Sequence, residues 1–123
     1  YQHHQRLQNY KYIQHNRRNL DKYNNRVEYI KCDVTDIDSI DNIINTVIKM
    51  YGNIDIMINL SCICMDNSFL NKTKNELMRE LEVNLVGTFL VSRTFGNLMY
   101  EKKSGKIINI SSTNGIDTFF IFN

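Results

Sequence analysis

The chain has 123 residues, with no proline, no tryptophan and, on reading it through, no alanine, while asparagine (17) and isoleucine (16) are abundant. This length allows one domain, the apolar fraction of 42% argues against disorder throughout, and no run approaches the roughly 18 apolar residues of a membrane span. The net charge of +2 hides an asymmetry, since residues 1–29 hold six Lys and Arg against two Asp and Glu, whereas residues 30–123 hold nine against eleven.

Residues 1–26 read as a polar, basic and poorly ordered segment. Aliphatic residues stand only at Leu7, Ile13 and Leu20, too few to define a buried face. Basic residues interleaved with tyrosines are one way to bind nucleic acid, but no binding motif accompanies them, and a solvated segment is the reading adopted. The histidines His3, His4 and His15 have no recognised ligand spacing, so no metal is expected. Three cysteines, Cys32, Cys62 and Cys64, make neither a zinc set nor an even disulfide framework, which predicts a reducing, cytoplasmic setting; no secretory leader is visible.

From residue 27 the hydrophobic period alternates between those of strand and helix. Val27 to Lys31 is a β-type run ending at Cys32-Asp33-Val34. Thr35 then opens a helix signal, with Asp38 three residues on as a near capping box and Ile37, Ile40, Ile43, Ile44, Val47 and Ile48 on one face, stopped by Gly52. Ile54 to Leu60 is an almost continuous apolar run, the pattern of a parallel strand covered on both faces. After a polar loop, Thr73 and Glu76 form a capping box that starts a long helical pattern through Leu77, Leu81, Leu85, Phe89, Phe95 and Met99, interrupted only by Gly87 and Gly96. Lys106 to Ser111 is a third strand.

Strand, helix, strand, helix, strand at these lengths predicts an α/β fold, a partial Rossmann-type doubly wound parallel sheet over residues 27–123. Ligands of such sheets bind beyond the carboxyl ends of the strands. Asp33-Val34, Asn59-Leu60-Ser61-Cys62 and Ser111-Ser112 therefore lie on the side where chemistry is expected.

At those positions the sequence resembles the short-chain dehydrogenases/reductases, especially the branch similar to 3-oxoacyl-acyl-carrier-protein reductase. Cys32-Asp33-Val34-Thr35-Asp36 is similar to the end of that family's third strand, and Tyr51 to Asn59 to the approach to its fourth. Glu82-Val83-Asn84-Leu85-Val86-Gly87-Thr88-Phe89 resembles the helix carrying its catalytic Asn, and Gly105 to Ser112 the strand delivering its catalytic Ser. All four agree in order and spacing. The resemblance implies an NAD(P)-dependent oxidoreductase, a carbonyl reductase or alcohol dehydrogenase, acting on a small-molecule or acyl-thioester carbonyl. It implies Ser112 as hydrogen-bond donor to the substrate carbonyl oxygen and Asn84 as holder of a relay water. Asp33 and the Val34 backbone would seat the adenine, with Asn59 and Ser61 along the ribose and nicotinamide path.

The same comparison exposes departures. The family's glycine-rich phosphate turn has no counterpart in residues 1–26, which contain no glycine, and no Tyr-x-x-x-Lys follows Ser112. Where the family usually reads Asn-Asn-Ala-Gly, this chain has Asn59-Leu60-Ser61-Cys62, so that a side chain stands where glycine lets the backbone approach the cofactor. The chain thus reads as a central fragment of the family's fold, and as 123 residues it is expected to show no hydride transfer. Cys62 and Cys64 are expected to be buried, inert thiols. With only the third, fourth and fifth strands, the third is expected to lack a neighbour, because its pairing partner in the strand order 3-2-1-4-5-6 is the second. The second function class is a non-catalytic interaction or homo-oligomerisation module using helix 73–99, which corresponds to the family's usual subunit-contact helix; nucleic-acid binding through residues 1–26 is the third.

Overall fold

The structure, a computed structural model, describes residues 28–65 and 69–112. The readings placed on residues 1–27 therefore lie outside the described residues. The chain divides into two units, residues 1–31 and 32–123; the account that follows concerns the second.

Helix α1 spans Ile37–Tyr51. Its N-cap is Asp36, not Thr35: the Asp36 carboxylate accepts from the Asp38 N–H at 3.2 Å. The reason for the one-residue shift lies next door, where the Thr35 hydroxyl donates to Asp33 Oδ1 at 2.7 Å and so is committed to the preceding turn. Gly52 ends the helix as expected, adopting φ 74° and donating its N–H to the Ile48 carbonyl at 2.8 Å, a left-handed geometry that a Cβ would strain.

Strand β1, Ile56–Asn59, pairs in parallel with β2, Lys106–Asn109, with Ile56 opposite Lys106 and Asn59 opposite Asn109. The crossover between them contains a 3₁₀ turn, Phe69–Asn71, then helix α2, Lys74–Leu81, a π-helical segment, Glu82–Gly87, and helix α3, Thr88–Glu101. The capping box at the start of α2 forms as the sequence predicts: Thr73 N–H donates to Glu76 at 2.8 Å and Glu76 N–H donates back to the Thr73 hydroxyl at 3.3 Å. Of the two glycines in the long helix, only Gly87, the last residue of the π segment, stands at the irregularity. Gly96 lies inside α3, and the irregularity is the π segment around Asn84.

The core is Ile40, Met57, Val91 and Met99, with Cys32, Val34, Ile54, Leu90, Phe95 and Ile107 packed around it. Helix α3 is its hub, touching α1 and both strands. Two readings need correction. The run Val27 to Lys31 forms no strand among its described residues, because an isolated strand leaves its ladder groups unpaired and neither described strand pairs with it. Nor is β1 covered on both faces: Met57 and Asn59 are buried, whereas Ile56 and Ile58 are 56% and 55% exposed. The helices α1 and α3 supply one layer, and among the described residues nothing supplies the other.

Candidate functional site

The candidate residues sit on four segments: the turn before α1, the chain following β1, the π segment and the chain following β2. The first is the turn before α1. Asp33 Oδ1 accepts from both the Thr35 N–H (2.9 Å) and the Thr35 hydroxyl, the Asp33 N–H donates to the Ser39 hydroxyl at 2.9 Å, and the Asp36 N–H returns to the Asp33 carbonyl at 3.1 Å. This Asx-type turn holds an exposed carboxylate in place. Val34, next in the chain, turns its side chain inward onto Gly87 of the π segment: a Cβ built on Gly87 would lie 2.7 Å from Val34 Cγ2 and 3.3 Å from its carbonyl oxygen. Glycine at 87 is what lets the turn before α1 and the Asn84 segment meet.

The second segment follows β1. Asn59 is 6% exposed, and its side-chain oxygen accepts from the Ser61 N–H at 3.2 Å, turning the chain out of the strand. Beyond it Leu60, Ser61, Cys62 and Cys64 are exposed. The exposure of Cys62 and Cys64 overturns the expectation of buried thiols: the loop is held to the crossover helix through Ile63 and Met65, and the two cysteine side chains stay open to solvent. Cys32 alone is partly covered, and burial pushes its thiol up, against a lowering hydrogen bond with Ser39.

The third element is the π segment. Asn84 Oδ1 accepts from the Ile63 N–H and Asn84 Nδ2 donates to the Ile63 carbonyl, both at 2.8 Å. One amide side chain thus grips one residue's backbone at both ends. The amide keeps a second lone pair and a second N–H beyond these two bonds. The Asn84 carbonyl accepts from the Thr88 hydroxyl at 2.7 Å, the same bond to the carbonyl four residues back that Thr46 and Thr94 make in the regular helices.

Sequence reasoning missed a second tether on the same loop. Glu80 Oε1 accepts from the Met65 N–H at 2.7 Å, and both Glu80 oxygens accept from the Lys72 ammonium at 2.7 Å. Lys72 holds the Glu80 carboxyl below its usual range, helped by the Met65 N–H, and Glu80 in turn raises Lys72. No sequence spacing signals this triad, because its members are joined by the fold. At the end of β2, Ser112 is exposed, and the Ser92 hydroxyl donates to Asn109 Oδ1 at 3.2 Å.

An exposed, fixed carboxylate at Asp33 is the acceptor an adenine amino group needs. The chain's five glycines, at 52, 87, 96, 105 and 115, nowhere make the Gly-x-Gly spacing of a phosphate turn. Among the described residues there is no group of three metal-ligating side chains and no helix long and apolar enough to cross a membrane.

Known proteins resemble this chain in sequence and fold. The family model described as short chain dehydrogenase matches residues 7–123. An uncharacterized oxidoreductase of Mycobacterium bovis is 34% identical over 86 residues, 70% of this chain and 35% of that protein. A 3-oxoacyl-[acyl-carrier-protein] reductase of Synechocystis is 31% identical over 87 residues, 71% of this chain and 35% of that protein. Among solved structures, ElxO with NADP bound superposes with a TM-score of 0.69 at 27% identity, covering 75% of this chain and 38% of that one. The chain therefore spans about a third of the length of the curated relatives it matches.

Proposed function

Since the chain belongs to the short chain dehydrogenase family, we propose that it forms the adenine-facing and carbonyl-facing centre of an NAD(P)-dependent oxidoreductase. The observation that best supports this is the two-point bond from Asn84 to Ile63, which ties the π segment to the loop following β1. The nicotinamide would supply or accept the hydride. Of this chain's own groups, Ser112 donates its hydroxyl proton in a hydrogen bond to the substrate carbonyl oxygen, where negative charge develops. Asn84 positions the loop through Ile63 and offers its remaining lone pair and N–H to a relay water. Asp33 and the Val34 backbone take the adenine edge, while Asn59 and Ser61 shape the path of the ribose and nicotinamide. A 3-oxoacyl thioester is the carbonyl substrate to try first.

These 123 residues contain no Tyr-x-x-x-Lys after Ser112 and no glycine-rich turn. The general acid alone is worth about 10² to 10⁴ in rate, so the 123-residue chain is expected to oxidise neither NADH nor NADPH with a 3-oxoacyl thioester above a no-protein blank. Adenine recognition is testable separately. Titration with AMP followed by chemical-shift changes should perturb Asp33, Val34 and Thr35, and Asp33→Ala should abolish those changes. AMP shifts that survive the substitution would place the adenine elsewhere.

A second reading rests on the exposure of Leu77, Leu81, Leu85 and Phe89, successive residues at helical spacing along α2, the π segment and α3. It makes the helix a homo-oligomer contact. Sedimentation separates the readings: a defined dimer that Leu85→Lys dissociates supports it, and a monomer removes it.

A further inference from the structure

Cys62 and Cys64 are both exposed, and the residue between them is the one whose backbone Asn84 grips. We propose that Cys62 and Cys64 form a redox site whose intramolecular disulfide and the Asn84–Ile63 clamp exclude each other. This deepens the proposed site as a regulation of it, but the exclusion itself is a property of the loop.

The exclusion follows from geometry. For the Ile63 N–H and C=O to reach one amide, both must point to the same side of the chain, as they do in an extended residue bonded across a ladder. An extended residue places its two neighbours' side chains together on one face. Two strand rises separate them by about 6.6 Å, whereas a disulfide brings its Cβ atoms to about 3.5–4.5 Å. Reduced and clamped, the thiols are neighbours that cannot bond. To close the S–S bond, Ile63 must leave the extended conformation, and one or both of its bonds to Asn84 must break.

The surroundings favour these two thiols over the third. Cys32 is partly covered and its thiol is pushed up, leaving it little thiolate. With a peroxide as oxidant, one thiolate attacks a peroxide oxygen, breaking the O–O bond and forming a sulfenic acid with release of water. The second thiolate then displaces hydroxide, which leaves as water after taking a proton, and the S–S bond forms. Two electrons pass from the sulfurs to the peroxide, and the two thiol protons end in water.

The test uses the full 123-residue chain and hydrogen peroxide, followed by alkylation and tryptic digestion. Cleavage at Lys49 and Lys72 puts Cys62 and Cys64 in one peptide and Cys32 in another. The expected product is that peptide lighter by two hydrogens and unalkylated, with no disulfide-linked dimer under denaturing, non-reducing conditions. Alkylation of both thiols after peroxide, or linkage to Cys32, overturns the proposal. The exclusion is read by hydrogen exchange at the Ile63 amide, expected to accelerate at least tenfold on oxidation, about the value of one net hydrogen bond. An unchanged rate overturns it. By linkage, Asn84→Ala should shift the thiol–disulfide equilibrium toward disulfide by about tenfold, and an unmoved equilibrium in the folded variant also overturns it. The exchange measurement on the unsubstituted chain decides the matter if that variant does not fold. None of these readouts needs cofactor or activity, so their failure is distinct from failure of the oxidoreductase reading.

Discussion

Asn84 and Gly87 stand three residues apart on the π segment and do opposite things. Asn84 reaches out to Ile63 with both ends of its amide, while Gly87 withholds a side chain so that Val34 can fill the space. In Gly87→Ala the new methyl would press on the Val34 carbonyl oxygen as well as its side chain, and backbone yields poorly. The expected loss is about 1–3 kcal/mol, read as a lower urea midpoint. Val34→Ala in the same chain should recover part of it, because the two changes share one space. A Gly87→Ala protein as stable as its parent would mean that the turn before α1 does not pack on the π segment as described.

Between elements, the loop after β1 is tethered twice to the crossover helix, by Asn84 and by the Lys72–Glu80–Met65 triad. The second tether depends on pH with a definite sign. Glu80 titrates below its ordinary 4.5, so its contribution is complete above that value and is lost as pH falls through the lower, folded value. Lys72 titrates above its ordinary 10.5, so its contribution is complete below that and is lost as pH rises through the higher one. Stability measured across this range should fall at both ends. Glu80→Gln should flatten part of the acid limb, and an identical acid limb in the variant would show that the pair does not hold the loop. A third connection, from the Lys102 ammonium to the Gly52 carbonyl (2.7 Å) and Asn53 (2.8 Å), joins the ends of α3 and α1. It also places a cation at two helix C-termini, where the helix dipole favours one.

At the scale of the molecule, the described residues form one sheet face under helices and leave the other bare. Met57 and Ile58 are adjacent in β1, yet only Met57 is buried. Met57→Ala is therefore expected to cost about 2–5 kcal/mol, and Ile58→Ala to stay within about 0.5 kcal/mol, both by denaturant titration of the 123-residue chain. Equal costs would show that Ile58 is covered. The apolar stripe from Leu77 to Phe89 is exposed on the crossover helix.

How much of this was legible beforehand differs by element. The capping box at Thr73, the stop at Gly52 and the two parallel strands could be read directly, because each depends on residues close in sequence or on a period that the chain displays. The order of motifs also gave the family, which the match over residues 7–123 bears out. The strand expected over residues 27–31 could not be judged that way, since a strand exists only where a neighbour pairs with it. Local sequence placed the N-cap at Thr35, one residue early, because it did not register that Asp33 draws the Thr35 hydroxyl away from the helix. Burial of Cys62 and Cys64 was misread because apolar character tells what a side chain tolerates, and only the arrangement of layers tells what covers it. By itself, then, the sequence determined the element types, their order and the residues carried by each strand end. Tertiary structure alone decided that Asn84 holds Ile63, that Glu80 holds Met65 and Lys72, and which face of β1 is covered. These pairings join residues 8, 15 and 21 positions apart, and they arise only when the crossover helix lies back against the loop.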